Sequence, residues 1–141
     1  GNRLYIAGGS SGLLEAYIFS TDSIVFGGAY AYDECNFNDV VARNDTVIVA
    51  AGANGAEMLH YFNGGFTLLN KVNYNTYTDD YKNQTPMPSG LFWQKDSLYI
   101  ADSWVGAFFF ILDDTVFNFS GVGLGACTHV ASRGKYLYTT D

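Results

Sequence analysis

The segments that separate the apolar runs of this chain bring together several tyrosines, a tryptophan and several aspartates. Aromatic faces combined with carboxylates and amides bind carbohydrates, peptides or cations. The alternative is a polar surface whose tyrosine rings only cover the ends of strands. The candidate ligand-binding residues are Tyr30, Tyr32, Asp33, Tyr74, Tyr77, Asp79, Asp80, Tyr81 and Trp104.

Other residue types give no recognisable catalytic or metal-binding pattern. Asp33, Glu34 and Asp39 lack the alternating spacing of a calcium loop. Cys127 and His129 are too few ligands for zinc, which needs three or four. No serine or cysteine lies in a nucleophile motif. The sequence therefore predicts no metal, no cofactor and no assigned catalytic residue.

Two further sets of residues concern covalent modification. Cys35 and Cys127 are an even pair, which allows one disulfide without requiring it. Three Asn-X-Ser/Thr sequons begin at Asn44, Asn83 and Asn118. All three asparagines are expected to face solvent, as carriers of N-linked glycans must. The sequence therefore predicts a glycoprotein.

Composition restricts the function classes. The net charge is −7 with only seven Lys and Arg, so nucleic acid, which requires clustered cations, is a poor candidate partner. The longest apolar run, Val105 to Leu112, is too short to cross a bilayer. Few charged and many aromatic residues, 15% and 17% of the chain, favour an extracellular or cell-surface location without membrane insertion.

One sequence pattern occurs repeatedly along the chain. Its copies begin at Leu4, Val47, Leu98 and Leu137, which are 43, 51 and 39 residues apart. Each of the first three copies has an apolar run, a small-residue turn, a glycine in ninth position and a second apolar run. A repeat of this length built from short strands is typical of β-propeller blades.

The strand pattern predicts an all-β fold: a β-propeller segment of four-stranded antiparallel blades, about three and a half in number. We number the strands of a blade A to D, from the innermost outward. The predicted segments are strands B to D of blade one at 3–30, blade two at 39–72, an insertion loop at 73–88, blade three at 90–120 and the start of blade four at 127–141. Propellers close with four to eight blades, so the chain is expected to form part of a larger ring. The remaining blades would come from the same chain or from another copy.

The copy at residues 98–113 carries a resemblance to a known family. Its sequence, Leu-Tyr-Ile-Ala-Asp, a short turn, glycine and an apolar strand ending in aspartate, resembles the LVIVD-type repeat of bacterial and archaeal surface propellers, close to the YncE-like group. Asp102 and Asp113 stand where such repeats carry aspartate. The resemblance implies a seven-bladed scaffold at the cell surface, with no shared catalytic residue.

These observations lead to three functional hypotheses. The first is a non-catalytic scaffold or recognition module that binds protein or carbohydrate at the cell surface through the loop face with the 73–88 insertion. Deleting the insertion is then expected to abolish binding while leaving the fold intact. The second is a propeller hydrolase or lyase with an acidic site at the channel mouth. The third is a structural subunit of a surface layer or filament.

Overall fold

The computed structural model describes residues 2–20 and 22–141. These residues form thirteen β-strands in four antiparallel sheets, joined by turns and two short 3-10 segments. The prediction of an all-β fold is therefore confirmed. Sheet 1 contains β1 (Arg3–Ala7), β2 (Leu13–Ser20) and β3 (Ser23–Tyr30). Sheet 2 contains β4 (Asp39–Arg43), β5 (Thr46–Ala50), β6 (Ala56–Phe62) and β7 (Gly65–Val72).

The other two sheets follow in chain order. Sheet 3 contains β8 (Pro88–Gln94), β9 (Ser97–Asp102), β10 (Gly106–Asp113) and β11 (Val116–Leu124). Sheet 4 contains β12 (His129–Arg133) and β13 (Tyr136–Thr140). Within each sheet every strand pairs with the strand that follows it in the chain, so each sheet is an antiparallel meander.

Several strand ends differ from the sequence prediction. β8 begins at Pro88, two residues earlier than predicted and inside the predicted insertion. β11 continues to Leu124 through Gly121 and Gly123, which the pattern assigned to a connection. Those glycines stay in the ladder because they pair with Phe109 and Ala107 of β10, and the Phe109 ring lies over both of them. β12 begins at His129, two residues later than predicted.

Two-residue hairpin turns fix the register between the first two strands of sheets 2, 3 and 4. The turns begin at Asn44, Lys95 and Gly134, and each of these residues has a positive φ, between 51° and 63°. Asparagine and glycine tolerate that conformation well. The resulting register places Val40 opposite Val49 and Leu91 opposite Ile100.

The core lies between the sheets rather than inside any one of them. One buried cluster joins sheets 1 and 2, a second joins sheets 2 and 3, and a third joins sheets 3 and 4. Strands β4, β8 and β12, the first strand of each of sheets 2 to 4, contact one another in that order. The sheets therefore pack face to face in chain order, and each interior sheet has two buried faces.

A charged cluster joins sheets 1 and 2 at the hairpin end of the molecule. The Arg3 guanidinium lies 3.4 Å from the Glu15 carboxylate and 2.7 Å from Asp45, and it stacks 4.5 Å from the centre of the Tyr61 ring. Glu15 is fully buried, so this ion pair compensates a charge that would otherwise be costly to remove from water.

Among the residues that the structure describes, no helix is long and apolar enough to cross a membrane.

Candidate ligand-binding face

The hairpin turns at Asn44, Lys95 and Gly134 lie at one end of the sheets. At the opposite end, the other connections between strands contact one another. The β1–β2 turn is bridged to the segment before β4, because Gly9 and Phe37 exchange two backbone hydrogen bonds of 2.9 and 3.1 Å. The Asn54 side-chain amide, after β5, donates to the Tyr32 hydroxyl at 2.9 Å. The Ser103 amide, after β9, donates to the Met87 carbonyl at 3.1 Å. We call this surface the loop face.

A cleft of about 590 Å³ opens on the loop face between sheets 1 and 2. It is lined by Tyr30, Tyr32, Asp33, Glu34, Ala53, Asn54, Glu57, Leu68 and Lys71. Glu57 is buried in β6, and its carboxylate accepts hydrogen bonds from the hydroxyls of Tyr32 at 2.9 Å and Tyr30 at 3.4 Å. The cleft therefore combines the edges of aromatic rings with acidic, basic and neutral hydrogen-bonding groups.

Burial controls the protonation of this cleft. Desolvation is the main cause that raises the pKa of Glu57, against the opposing effects of the Tyr32 hydroxyl and the Lys71 ammonium group. Burial, reinforced by the neighbouring Glu57 carboxylate, raises the pKa of Tyr30 to about 12 and also raises that of Tyr32. Both phenols are therefore protonated donors at neutral pH, and burial shifts the Glu57 equilibrium toward the neutral carboxyl relative to an exposed glutamate.

We expect the Glu57→Gln variant to gain stability relative to the wild type as pH rises from about 4 to 7. A carboxyl group with a raised pKa in the folded state stabilises the fold at low pH and loses that contribution as it ionises, whereas glutamine does not ionise. Urea unfolding of both proteins across this pH range measures the difference. The matched control is Glu34→Gln, because Glu34 is exposed and replacing an exposed residue should change stability by less than about 0.5 kcal/mol. A pH-independent difference for Glu57→Gln would contradict the prediction.

A second groove crosses the loop face between sheets 2 and 3. Its main part, about 290 Å³, is lined by Asn36, Asn38, Gly52, Ala53, Thr85, Pro86, Met87, Pro88, Ser89 and Ser103. A shallower hollow of about 280 Å³ continues from it and is lined by Gln84, Thr85, Met87 and Trp104. Trp104 is 68% exposed and Met87 is 45% exposed. We call the two parts together the Trp104 groove.

One buried carboxylate positions the rim of the Trp104 groove. Asp102 Oδ1 accepts the backbone amides of Trp104 at 2.8 Å and Val105 at 3.0 Å. Its Oδ2 accepts the Met87 amide and the Tyr74 hydroxyl, both at 2.8 Å. Burial, together with the Asp102 charge, raises the pKa of Tyr74, so its hydroxyl remains a donor. Asp102 therefore holds the backbones on both sides of the groove.

The structure brings some of the predicted ligand-binding residues together and separates others. Tyr30, Tyr32 and Asp33 share the cleft between sheets 1 and 2, whereas Trp104 lies at the second groove. Tyr74 is fully buried in the core, with its ring 4.5 Å from that of Phe108.

The remaining predicted residues belong to the insertion and lie outside both clefts. The Tyr77 ring stacks on Phe119 at 4.8 Å, and Tyr81 packs against the core between sheets 2 and 3. Asp79 and Asp80 are exposed, and Asp79 lies 3.5 Å from the Lys82 ammonium group. The nine residues therefore do not form a single site.

Burial of Tyr74 corrects one expectation about the insertion. Deleting residues 73–88 would remove this ring from the core and two of the four donors to Asp102. We now expect the deletion to destabilise the fold, so it cannot test binding by itself.

Cys35 and Cys127 do not form the disulfide that an even pair of cysteines allowed. Both are free thiols and both are buried. Cys35 lies in the cluster between sheets 1 and 2, and Cys127 lies in the cluster between sheets 3 and 4. Desolvation raises the pKa of the Cys127 thiol, which keeps it protonated and unreactive.

Asn44, Asn83 and Asn118 are all exposed in the structure, where a glycosylating enzyme could reach them. Within the described residues, no group of three or more His, Cys, Asp or Glu side chains is arranged to hold a metal ion.

Comparisons of the chain with protein-family models, with curated proteins and with solved structures find no match.

Sequence reasoning missed several residues of the two clefts, chiefly Glu57, Asn54 and Met87. Glu57 had a detectable signal, because it is a single charge inside the apolar run Ala56 to Leu59. Such a residue is either paired or functional when the run is buried. Met87 had no signal, because its exposure depends on the hydrogen bond between its backbone and Asp102.

Proposed function

We propose that this chain is a segment of a β-propeller that serves as a non-catalytic scaffold and recognition module, extracellular or at the cell surface. Four antiparallel meanders packed face to face in chain order support the propeller architecture. The repeat that resembles the LVIVD-type propellers supports the cell-surface location, together with the sequons and the composition.

The Trp104 groove is the observation that carries the recognition function. Its exposed indole and thioether are presented on backbone that a buried carboxylate holds in place. A binding site whose groups are already fixed loses less entropy when its ligand binds. An exposed aromatic ring on a rigid support is therefore suited to bind the apolar face of a partner.

The lining of the groove indicates the chemistry of that partner. Its residues supply asparagine and glutamine amides and serine and threonine hydroxyls, and none of them is charged. A neutral ligand with many hydroxyl groups matches such a lining, and the apolar face of a sugar ring stacks on indole. Of the two partner classes that the composition favours, carbohydrate therefore fits the groove better than a charged peptide.

Tryptophan fluorescence can test this proposal because the chain has only two tryptophans. Trp93 is half-buried, with its indole N–H donating to the Lys95 carbonyl. In a Trp93→Phe background, Trp104 is the only indole, and we expect its emission to change when cellohexaose, chitohexaose or maltohexaose is titrated in.

The affinity for the responding oligosaccharide is then measured by calorimetry in two further variants. Trp104→Ala should weaken binding at least about tenfold, equivalent to about 1.4 kcal/mol, whereas Trp93→Phe alone should leave it unchanged. If none of the three sugars changes the Trp104 emission at millimolar concentration, the carbohydrate proposal is wrong. An equal affinity for Trp104→Ala and wild type would place the site elsewhere.

A further inference from the structure

The repeat assigns each residue of its opening dipeptide to one side of the sheet. The four dipeptides are Leu4-Tyr5, Val47-Ile48, Leu98-Tyr99 and Leu137-Tyr138. In sheets 2, 3 and 4 the first residue packs into the cluster shared with the preceding sheet. In sheets 1, 2 and 3 the second residue packs into the cluster shared with the following sheet. Each sheet therefore has a preceding face and a following face.

The preceding face of sheet 1 is apolar and exposed. Leu4 is 40% exposed, whereas its counterparts Val47 and Leu98 are fully buried. Strand pairing places Leu4, Ala16 and Phe26 side by side, with Ile18 and Ile24 paired beyond them. Ile24 and Phe26 are 55% and 64% exposed. We call this surface the open face of sheet 1.

The equivalent positions in sheet 3 show what normally covers such a face. The counterpart of Ile24 is Phe117, since each pairs with the corresponding residue of the preceding strand, Ile18 or Leu112. Phe117 is buried in the cluster between sheets 2 and 3. The cover is thus the sheet that lies directly upstream in the same chain, and sheets 2, 3 and 4 are all covered in this way.

We infer that the open face of sheet 1 is a docking surface for one further four-stranded sheet of this repeat, located upstream in the same polypeptide. The extent of the face argues for four strands, because its apolar residues continue from β1 to β3, the outermost strand of the sheet.

The open face is a contiguous apolar surface made by several exposed residues and not by one isolated residue. Contiguous apolar surface of this kind marks an interaction site, and here the internal repeat identifies its partner. This inference rests on the repeat and not on the carbohydrate proposal, so either one can fail while the other stands.

The test is a pair of substitutions in the native protein. Ile24→Lys should lower the melting temperature by about 5 °C or more, because it would bury a charge. Phe62→Lys is the matched control, because Phe62 is 66% exposed at a hairpin end and its replacement should leave the melting temperature nearly unchanged.

Two results would overturn the inference. If Ile24→Lys has no more effect on the native protein than Phe62→Lys, the open face is not covered. If the native protein is a dimer by light scattering, and Ile24→Lys converts it to a monomer, the face is covered by a second copy and not by an upstream sheet.

Discussion

Replacing Asp102 with asparagine is expected to lower the free energy of unfolding by about 3 kcal/mol or more. The carboxylate is fully buried and accepts four hydrogen bonds, from three backbone amides and the Tyr74 hydroxyl. An asparagine side chain has one acceptor oxygen, and its NH₂ group would face two of these donors. At least two buried donors would then lose their partner, and each such loss costs about 1 to 3 kcal/mol.

Urea unfolding measures the effect, and Asp113→Asn provides the matched control. Asp113 occupies the second aspartate position of the same repeat copy but is exposed at the end of β10, so its replacement should change stability by less than about 0.5 kcal/mol. Tyr74→Phe removes one of the four donors and should cost about 1 kcal/mol. Equal stabilities for Asp102→Asn and Asp113→Asn would show that the four hydrogen bonds do not stabilise the fold.

Much of the fold could be predicted from the sequence because strand formation here depends on local signals. Apolar alternation marks the strands, and residues that tolerate a positive φ, such as Asn44 and Gly64, mark the hairpins. The repeat then adds a long-range constraint, since copies with the same pattern pair in the same register. The strand ends were harder, because β11 extends through Gly121 and Gly123 only where the Phe109 ring covers them.

The candidate site could be predicted only in part because it depends on contacts between segments far apart in the chain. Tyr30 and Tyr32 were identifiable as loop aromatics, but their shared contact with Glu57 requires the packing of sheet 1 on sheet 2. The insertion was misjudged for the same reason. Residues 73–88 have no strand pattern and look like a free loop, yet Tyr74 reaches the core because Asp102 lies beneath it.

Asp102 gives the fifth position of the repeat a role that this position does not have in the first two copies. The equivalent residues of the first two copies are Gly8 and Ala51, which cannot accept side-chain hydrogen bonds. The third and fourth copies have a carboxylate there, Asp102 and Asp141. In the third copy, which follows the long insertion, two of the four donors to that carboxylate belong to the insertion. Asp102 therefore anchors the insertion to sheet 3, and it links the stability of that sheet to the geometry of the Trp104 groove.

Gly55→Ala is expected to destabilise the protein by about 3 kcal/mol or more, and Gly64→Ala by only about 1 kcal/mol. The two glycines have nearly the same φ, 80° and 81°, so the positive φ is common to both. Gly55 also has a ψ of −123°, and residues with a Cβ rarely adopt that combination. They differ in the space around them. A Cβ at Gly55 would overlap the Val72 carbonyl oxygen in β7, whereas a Cβ at Gly64 would meet nothing within 4 Å.

The difference between these two variants therefore combines the strain from the Gly55 ψ with the close approach that the repeat requires at its ninth position. Gly12 and Gly106 occupy the same position in the other copies, and a Cβ at either would also collide with a backbone carbonyl of the neighbouring outer strand. Chemical unfolding of both variants gives the comparison, and circular dichroism checks that each has folded. If the two variants are equally stable, β6 and β7 can separate at little cost, and the glycine of the repeat is needed only for its backbone torsion. If Gly55→Ala is the less stable by the expected margin, the glycine sets the spacing between the third and fourth strands of every complete sheet. That spacing is what brings Lys71 opposite Glu57, at the edge of the cleft between sheets 1 and 2.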